Sequence, residues 1–382
     1  MTPLWNNLAT PASLLAAAHA AARGKRSRPD VARFLVHLEP AIFQLSRELE
    51  TASYQPGPYR TFEIQDPKPR QISAAPFRDR VVHHAFTRVA EPIFEPLFSA
   101  DSYACRKGFG THRALKAARR AAKRFPFALK GDIRKYFASI DHQILIQLLE
   151  KHIPCPRTLA LARLIIAHSN PQEAQLSYFP GDTLFTPYER CRGLPLGNQT
   201  SQFFANVYLD PLDQFIRQEL QPGDYFRYVD DFLLFGDDKS KLAEMRHRIE
   251  VFLYDYRVNL HPGKTRDYRT QDGVTFLGWR LFPDRSRLVR PNVQRFRARM
   301  RALQRDYNAG CLDWDDVNSV VQSWIAHAAH GDTWRLRQQL FHQFSFFTPH
   351  RPVDPTPAAK KISPGTSSLD PPGPDPNEGL RE

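Results

Sequence analysis

The sequence predicts an α+β fold, and three observations carry that expectation. Apolar residues recur at spacings of three and four, as in Val31, Phe34, Leu35, Leu38, Ile42, Leu45 and Leu49, which is the period of an amphipathic helix. Between such stretches stand short runs rich in aromatic and β-branched residues, FALKG from 127, FRYVDDFLLF from 226 and VTFLGWRLF from 274, which read as strands. The chain has 382 residues, 42% of them hydrophobic, enough for two or three subdomains with a sizeable core, and no apolar run is long enough to span a bilayer.

At the amino end, an Ala-rich stretch without basic residues ahead of it reads as an ordinary helix rather than a signal peptide. One helix is expected over 29–52. Residues 54–76 are rich in Pro and Gly, and RTFEIQ followed by the basic KPRQI suggests a hairpin-like extension. RDRVVHHAFTRVAEPIFEPLF resumes helical spacing. Thr111 can cap the helix THRALKAARRAAKRF, whose polar face carries Arg113, Lys116, Arg119, Arg120, Lys123 and Arg124. Such a face is either solvated or a phosphate contact. FALKGDIRKYFASIDH passes from strand to helix at its Gly-Asp step, with a further helix to about residue 153, and 170–192 reads as loop and short strands. After Gly197 a long helix begins with NQTSQFFANVYLDPLDQF, a hairpin surrounds Asp230, and the helix KSKLAEMRHRIEVFLYDY follows. The strand VTFLGWRLF precedes a basic helix beginning near Asn292. The last 34 residues, from Pro349, hold nine prolines among Ser, Gly and Asp and are expected to be disordered.

Lys and Arg number 53 against 40 Asp and Glu, a net charge of +13, which points to an anionic partner, nucleic acid or a membrane surface. The four cysteines are dispersed without a CxxC pair. That argues against a zinc knuckle or a secreted disulfide framework and fits a reducing cytoplasm.

FRYVDDFLLF places Asp230 and Asp231 between apolar flanks, where isolated carboxylates are costly unless paired with a cation or a metal. Read alone, adjacent aspartates also fit a turn or an exposed edge, although the apolar flanks weigh against that. Asp132, in LKGDIRKYF, ends another apolar segment. Three carboxylates from two strand-like segments suggest a cage for Mg²⁺, and two such ions roughly 3.5–4 Å apart can activate a 3′-hydroxyl and stabilise departing pyrophosphate. Side chains alternate along a strand, so Asp230 and Asp231 line one site only at a hairpin turn, and Asp230 is the safer direct ligand.

YVDD at 228–231, an Asp-containing segment about a hundred residues upstream, then HPGKT and FLGW resemble the palm of a reverse transcriptase in this order. KPRQISAAPFRDRVV looks like the fingers segment, GDIRKYFASIDH like motif A, GLPLGNQTSQFFANVYLDPLD like motif B, HPGKT like motif D and FLGW like the primer grip. The resemblance covers about 30–347 and implies a right-hand polymerase. An N-terminal extension (1–29) would precede fingers and the start of the palm (30–131). The palm with part of the fingers (132–283), a helical thumb (284–347) and a Pro-rich tail (348–382) would follow.

The resemblance also implies roles. Asp132 and Asp230 would bind both Mg²⁺ ions, with Mn²⁺ able to substitute, Asp231 would assist near the primer terminus, and the Ile133 carbonyl would complete the coordination. Phe137 would be the gate that excludes a ribose 2′-hydroxyl, though by itself it also fits a core aromatic. Lys68 and Arg70 would grip the triphosphate, or be plain loop charges. Lys264 would protonate pyrophosphate, or be solvated. Leu196, Gly197 and Gln202 would face the nucleotide, and Phe276, Leu277, Gly278 and Trp279 would form the primer grip.

Motif B reads LGNQTSQ where many reverse transcriptases have Gln before the Gly and Ser-Pro after it. This form resembles diversity-generating retroelements, whose enzymes copy a template RNA with frequent errors at adenines. SWIAHAAHGDTWRLRQQL resembles the thumb of that group and of its group II intron relatives. The implied partners are template RNA, primer and cDNA strand, dNTPs and a small basic accessory protein, with no membrane, in a bacterial or phage-encoded setting. No RNase H or nuclease domain is expected. Intron-like, retron-like or antiphage-defence reverse transcriptases, and a non-catalytic maturase-like RNA-binding protein, are the alternatives.

Overall fold

Two proline-started helices, α1 (Pro3–Ala9) and α2 (Pro11–Ala22), open the computed structural model, which describes residues 3–65, 69–170 and 176–347. Proline suits a helix start because its missing N–H would have no partner there. The buried alanines Ala17, Ala18, Ala21 and Ala22 let α2 lie close against α5 (Phe77–Phe94). The single helix expected over 29–52 is two, α3 (Pro29–Val36) and α4 (Leu38–Glu50), broken at His37. Pro40 is the cause: it has no N–H to donate to the Val36 carbonyl four residues back. The fingers-like extension is a true hairpin, β1 (Arg60–Ile64) pairing antiparallel with β2 (Arg70–Ala74). Thr111 does not cap α6 (Thr111–Arg124); Gly110 holds that position at φ 118°, and the Thr111 hydroxyl instead donates to Tyr228 Oη at 3.1 Å.

The central sheet is antiparallel, in the order β4 (Asp224–Tyr228), β5 (Asp231–Gly236), β3 (Phe127–Asp132), β6 (Arg266–Arg269). The strand read in FALKG extends through Asp132, the second residue of the Gly-Asp step. Gly131 sits opposite Phe232, and a Cβ there would lie 2.0 Å from the Phe232 ring, so only glycine allows the ring to cover the strand. Gly131→Ala is therefore expected to cost about 1–3 kcal/mol by overpacking. A thermal unfolding midpoint equal to wild type would mean that the ring swings aside.

Behind β3 come the short α7 (Tyr136–Ser139), α8 (His142–Glu150) and α9 (Pro156–Ala167). Asp141 caps α8 by accepting from the Gln143 and Ile144 N–H groups. Where short strands were expected in 170–192, the described residues hold a helical turn, α10 (Thr186–Glu189), and one bridge from Arg192 to Asp141. The long α11 (Gln199–Phe215) follows as expected, and α12 (Lys239–Asp255) packs on β3 and β5.

VTFLGWRLF is not one strand. It forms the hairpin β7 (Val274–Phe276) and β8 (Trp279–Leu281), extended by β9 (Ser286–Leu288). The turn residues Leu277 and Gly278 both have positive φ, 47° and 83°, as a tight two-residue hairpin connection requires. The helices α13 (Arg290–Asn308), α14 (Trp314–Ala328) and α15 (Trp334–Phe341) close the described chain around a small core of Phe296, Met300 and Leu340. The tail from 348 onward lies outside the described residues. Among those that are described, no helix is long and apolar enough to cross a membrane.

Candidate active site

The β4–β5 hairpin places the adjacent aspartates. Tyr228 pairs with Asp231, so the connection is only Val229 and Asp230, the hairpin turn on which a shared site depends. Asp132 at the end of β3 is the cross-strand partner of Asp231, and directly opposed side chains share one face of a sheet. The Ile133 N–H donates to the Asp230 carbonyl at 3.1 Å, tying the turn to the end of β3. Asp132, Asp230 and Asp231 are thus brought together from segments about a hundred residues apart.

Two ammonium groups meet these carboxylates. Lys264 Nζ stands 2.6 Å from Asp132 Oδ1, and Lys130 Nζ lies 3.1 Å from Asp231 Oδ1. The second is an ion pair without full hydrogen-bond geometry at that oxygen. Burial pushes the Asp230 carboxyl up to about 6; its own backbone N–H opposes the shift, and the neighbouring charges of Asp132 and Asp231 add to it. Burial also raises Asp231, against the pull of Lys130.

Among the described residues no group of three His, Cys, Asp or Glu converges into a ready metal cluster. The donor chemistry nonetheless suits a divalent cation. The oxygens are hard, and Asp230 is crowded by like charge that a cation would relieve.

The other expected residues fall out unevenly. Phe137 is half-buried on α7, and its carbonyl accepts from the Leu194 N–H at 2.8 Å, linking motif A to the approach of motif B. The Leu196 carbonyl accepts from Ser73 of β2 at 2.9 Å, Gly197 is exposed at φ 109°, and Gln202 is exposed on α11. Arg70 is exposed at the start of β2, whereas Lys68 lies outside the described residues. Phe276 and Trp279 are buried in a core with the alanine face of α6, so of the primer-grip residues only the Leu277–Gly278 turn is half-exposed. On the basic face of α6, Arg119 reaches Asp332 and the His330 carbonyl, and Arg124 reaches Asp224, so part of that face serves internal contacts.

Some participants were not anticipated. Lys130 stands two residues before Asp132, hence on the same strand face, a signal readable from β-strand alternation. Asn198 is buried and brackets β2: its amide nitrogen donates to the Ser73 carbonyl at 2.9 Å and its side-chain oxygen accepts from the Ala75 N–H at 3.3 Å. Arg227 forms a buried pair with Asp213. Burial would lower the Arg227 pKa, but the charge and hydrogen bonds of Asp213 reverse this and raise it.

Comparison with known proteins matches residues 64–281 to the family Reverse transcriptase (RNA-dependent DNA polymerase). Protein YkfC of Escherichia coli (strain K12) is 25% identical over 283 residues, covering 64% of this chain and 71% of that protein. Group II intron-encoded protein LtrA of Lactococcus lactis subsp. cremoris is 28% identical over 183 residues, covering 47% of this chain but only 29% of LtrA. Among solved structures, apo telomerase from Candida tropicalis aligns over 60% of this chain and 48% of that one, at TM-score 0.43 and 12% identity. The family match spans more than half the chain and contains the whole carboxylate hairpin, its β3 partner and Lys264. The chain belongs to the reverse transcriptase family of RNA-dependent DNA polymerases.

Proposed function

We propose that the chain copies a template RNA into cDNA by two-metal nucleotidyl transfer, with error-prone synthesis in a diversity-generating retroelement. The observation that carries the chemistry is the juxtaposition of Asp132, Asp230 and Asp231 across the β3–β5 pair and its adjoining turn. Asp132 and Asp230 would hold the divalent ions, with Asp231 and the Ile133 carbonyl assisting. Bound there, Mg²⁺ would activate the primer 3′-hydroxyl and neutralise the leaving pyrophosphate. Lys264, which donates to Asp132 Oδ1, would deliver a proton to that leaving group. Phe137 would close the space beside the sugar, and Arg70 with Lys68 would grip the triphosphate.

The match to LtrA, named a group II intron-encoded protein, favours a second setting, intron-like mobility. Primer extension on a defined RNA template with dNTPs and Mg²⁺ tests the activity, and its absence from folded protein would remove the polymerase reading in favour of RNA binding alone. Near-identical repeats differing at adenines in the flanking DNA would select the diversity-generating setting over the intron-like one.

Leu196 carries the fidelity part of the proposal. An apolar side chain beside the nucleotide cannot hydrogen-bond sugar or template, and a difference of ~1.4 kcal/mol changes selectivity about tenfold. Leu196→Gln is expected to lower misincorporation opposite template adenine about tenfold while primer extension continues. Deep sequencing of cDNA reads it, and an unchanged adenine error rate in an active variant refutes this role.

A further inference from the structure

The side chain of Arg227 is fully buried in β4. Its Nε and Nη2 fork onto the two oxygens of Asp213 at 2.7 and 2.5 Å, and Tyr225 Oη donates to the same carboxylate at 2.7 Å. Its backbone is pinned as well, the N–H donating to the Asp101 carbonyl at 2.8 Å and the carbonyl accepting from the Tyr103 N–H at 2.9 Å. A buried ion pair of this kind is a poor stability device, since well-packed apolar residues of similar volume often serve as well or better. The remaining guanidinium nitrogen suggests another use. Nη1 donates to the Val229 carbonyl at 3.0 Å.

Val229 needs such a partner. It has φ 58°, left-handed backbone that a β-branched residue adopts only under constraint, at a cost of about 1–3 kcal/mol. Its carbonyl belongs to the peptide leading into Asp230, so the orientation of that peptide sets where the Asp230 carboxylate points. Asp213 lies on α11, the helix that begins just beyond Leu196 and Gly197. The fork therefore joins the carboxylate turn to the helix bordering the nucleotide side of the site.

We propose that Arg227 is a positioning residue, clamped by Asp213, that holds the strained Val229–Asp230 peptide in the geometry required for nucleotidyl transfer. Lysine cannot reproduce it, because a single ammonium cannot fork onto both oxygens and reach a third acceptor in a fixed plane. This inference rests on the polymerase reading above.

The test compares wild type with Arg227→Lys and with the double variant Arg227→Met/Asp213→Leu, which removes both charges together and leaves no lone buried ion. Folding is checked by circular dichroism and thermal unfolding, and primer extension by kcat and KM for dNTP. In a folded variant kcat is expected to fall about 10–100-fold, the scale of a small misplacement of reacting groups, with KM for dNTP nearly unchanged. Wild-type kcat in either folded variant would overturn the proposal, as would failure of both variants to fold, which would make the pair structural. An inactive wild type would instead overturn the polymerase reading itself.

Discussion

Asp230→Asn is expected to abolish primer extension, lowering kcat by at least about 10³-fold, because in the proposed mechanism the neutral amide would no longer supply charge to divalent ions at the reacting phosphate. Stability should move the other way. The Asp230 carboxyl is pushed up to about 6, first by burial and then by the charges of Asp132 and Asp231. A carboxyl whose folded pKa exceeds its unfolded value, near 3.9, disfavours folding increasingly as pH rises from about 4 through about 6. At neutral pH, removing that charge removes a cost, so the thermal midpoint of the Asn variant is expected to equal or exceed that of wild type. Loss of activity with retained or raised stability separates a chemical role from a structural one. Full activity in the variant would remove Asp230 from the catalytic set.

Phe137→Ala is expected to reduce discrimination against ribonucleotides about 10–100-fold, while dNTP incorporation changes less. The α7 turn that carries this ring follows Lys135 at φ 45° and is tied by hydrogen bonds from the Leu194 N–H to the Phe137 carbonyl and from the Gly193 N–H to the Ile140 carbonyl. Truncation should therefore open space beside the sugar without releasing the backbone. The ring is only half-buried, so the stability cost should fall below the roughly 3–5 kcal/mol of a core Phe→Ala change. Competing dNTP against NTP on one template measures the gate, and an unchanged ratio assigns Phe137 to packing alone.

Local signals are legible in the sequence. The stretch after Gly197 marked the start of α11, KSKLAEMRHRIEVFLYDY marked α12, and RTFEIQ with KPRQI marked the β1–β2 hairpin. A single residue that overrides a period is not legible in that way. Pro40 divides a helix whose apolar spacing continues unbroken through the break, and the Leu277–Gly278 turn folds VTFLGWRLF back on itself although the composition on both sides favours strand.

By itself, the sequence determined that three carboxylates end apolar segments, that the segments occur in reverse transcriptase order, and that the chain mixes helices with short strands. Each of these is a property of residue type and spacing along the chain. Only the tertiary structure decided that Asp132 stands opposite Asp231, that Lys264 rather than a distant cation meets Asp132, and that Phe276 and Trp279 pack into a core while the turn between them remains partly exposed. It likewise decided that Arg227 reaches Asp213 and the Val229 carbonyl together. Hydrophobic period reports which face of an element is buried, but not which residue a hundred positions away will lie against it. That choice belongs to strand register and helix packing, which form only when the whole chain has collapsed around the sheet.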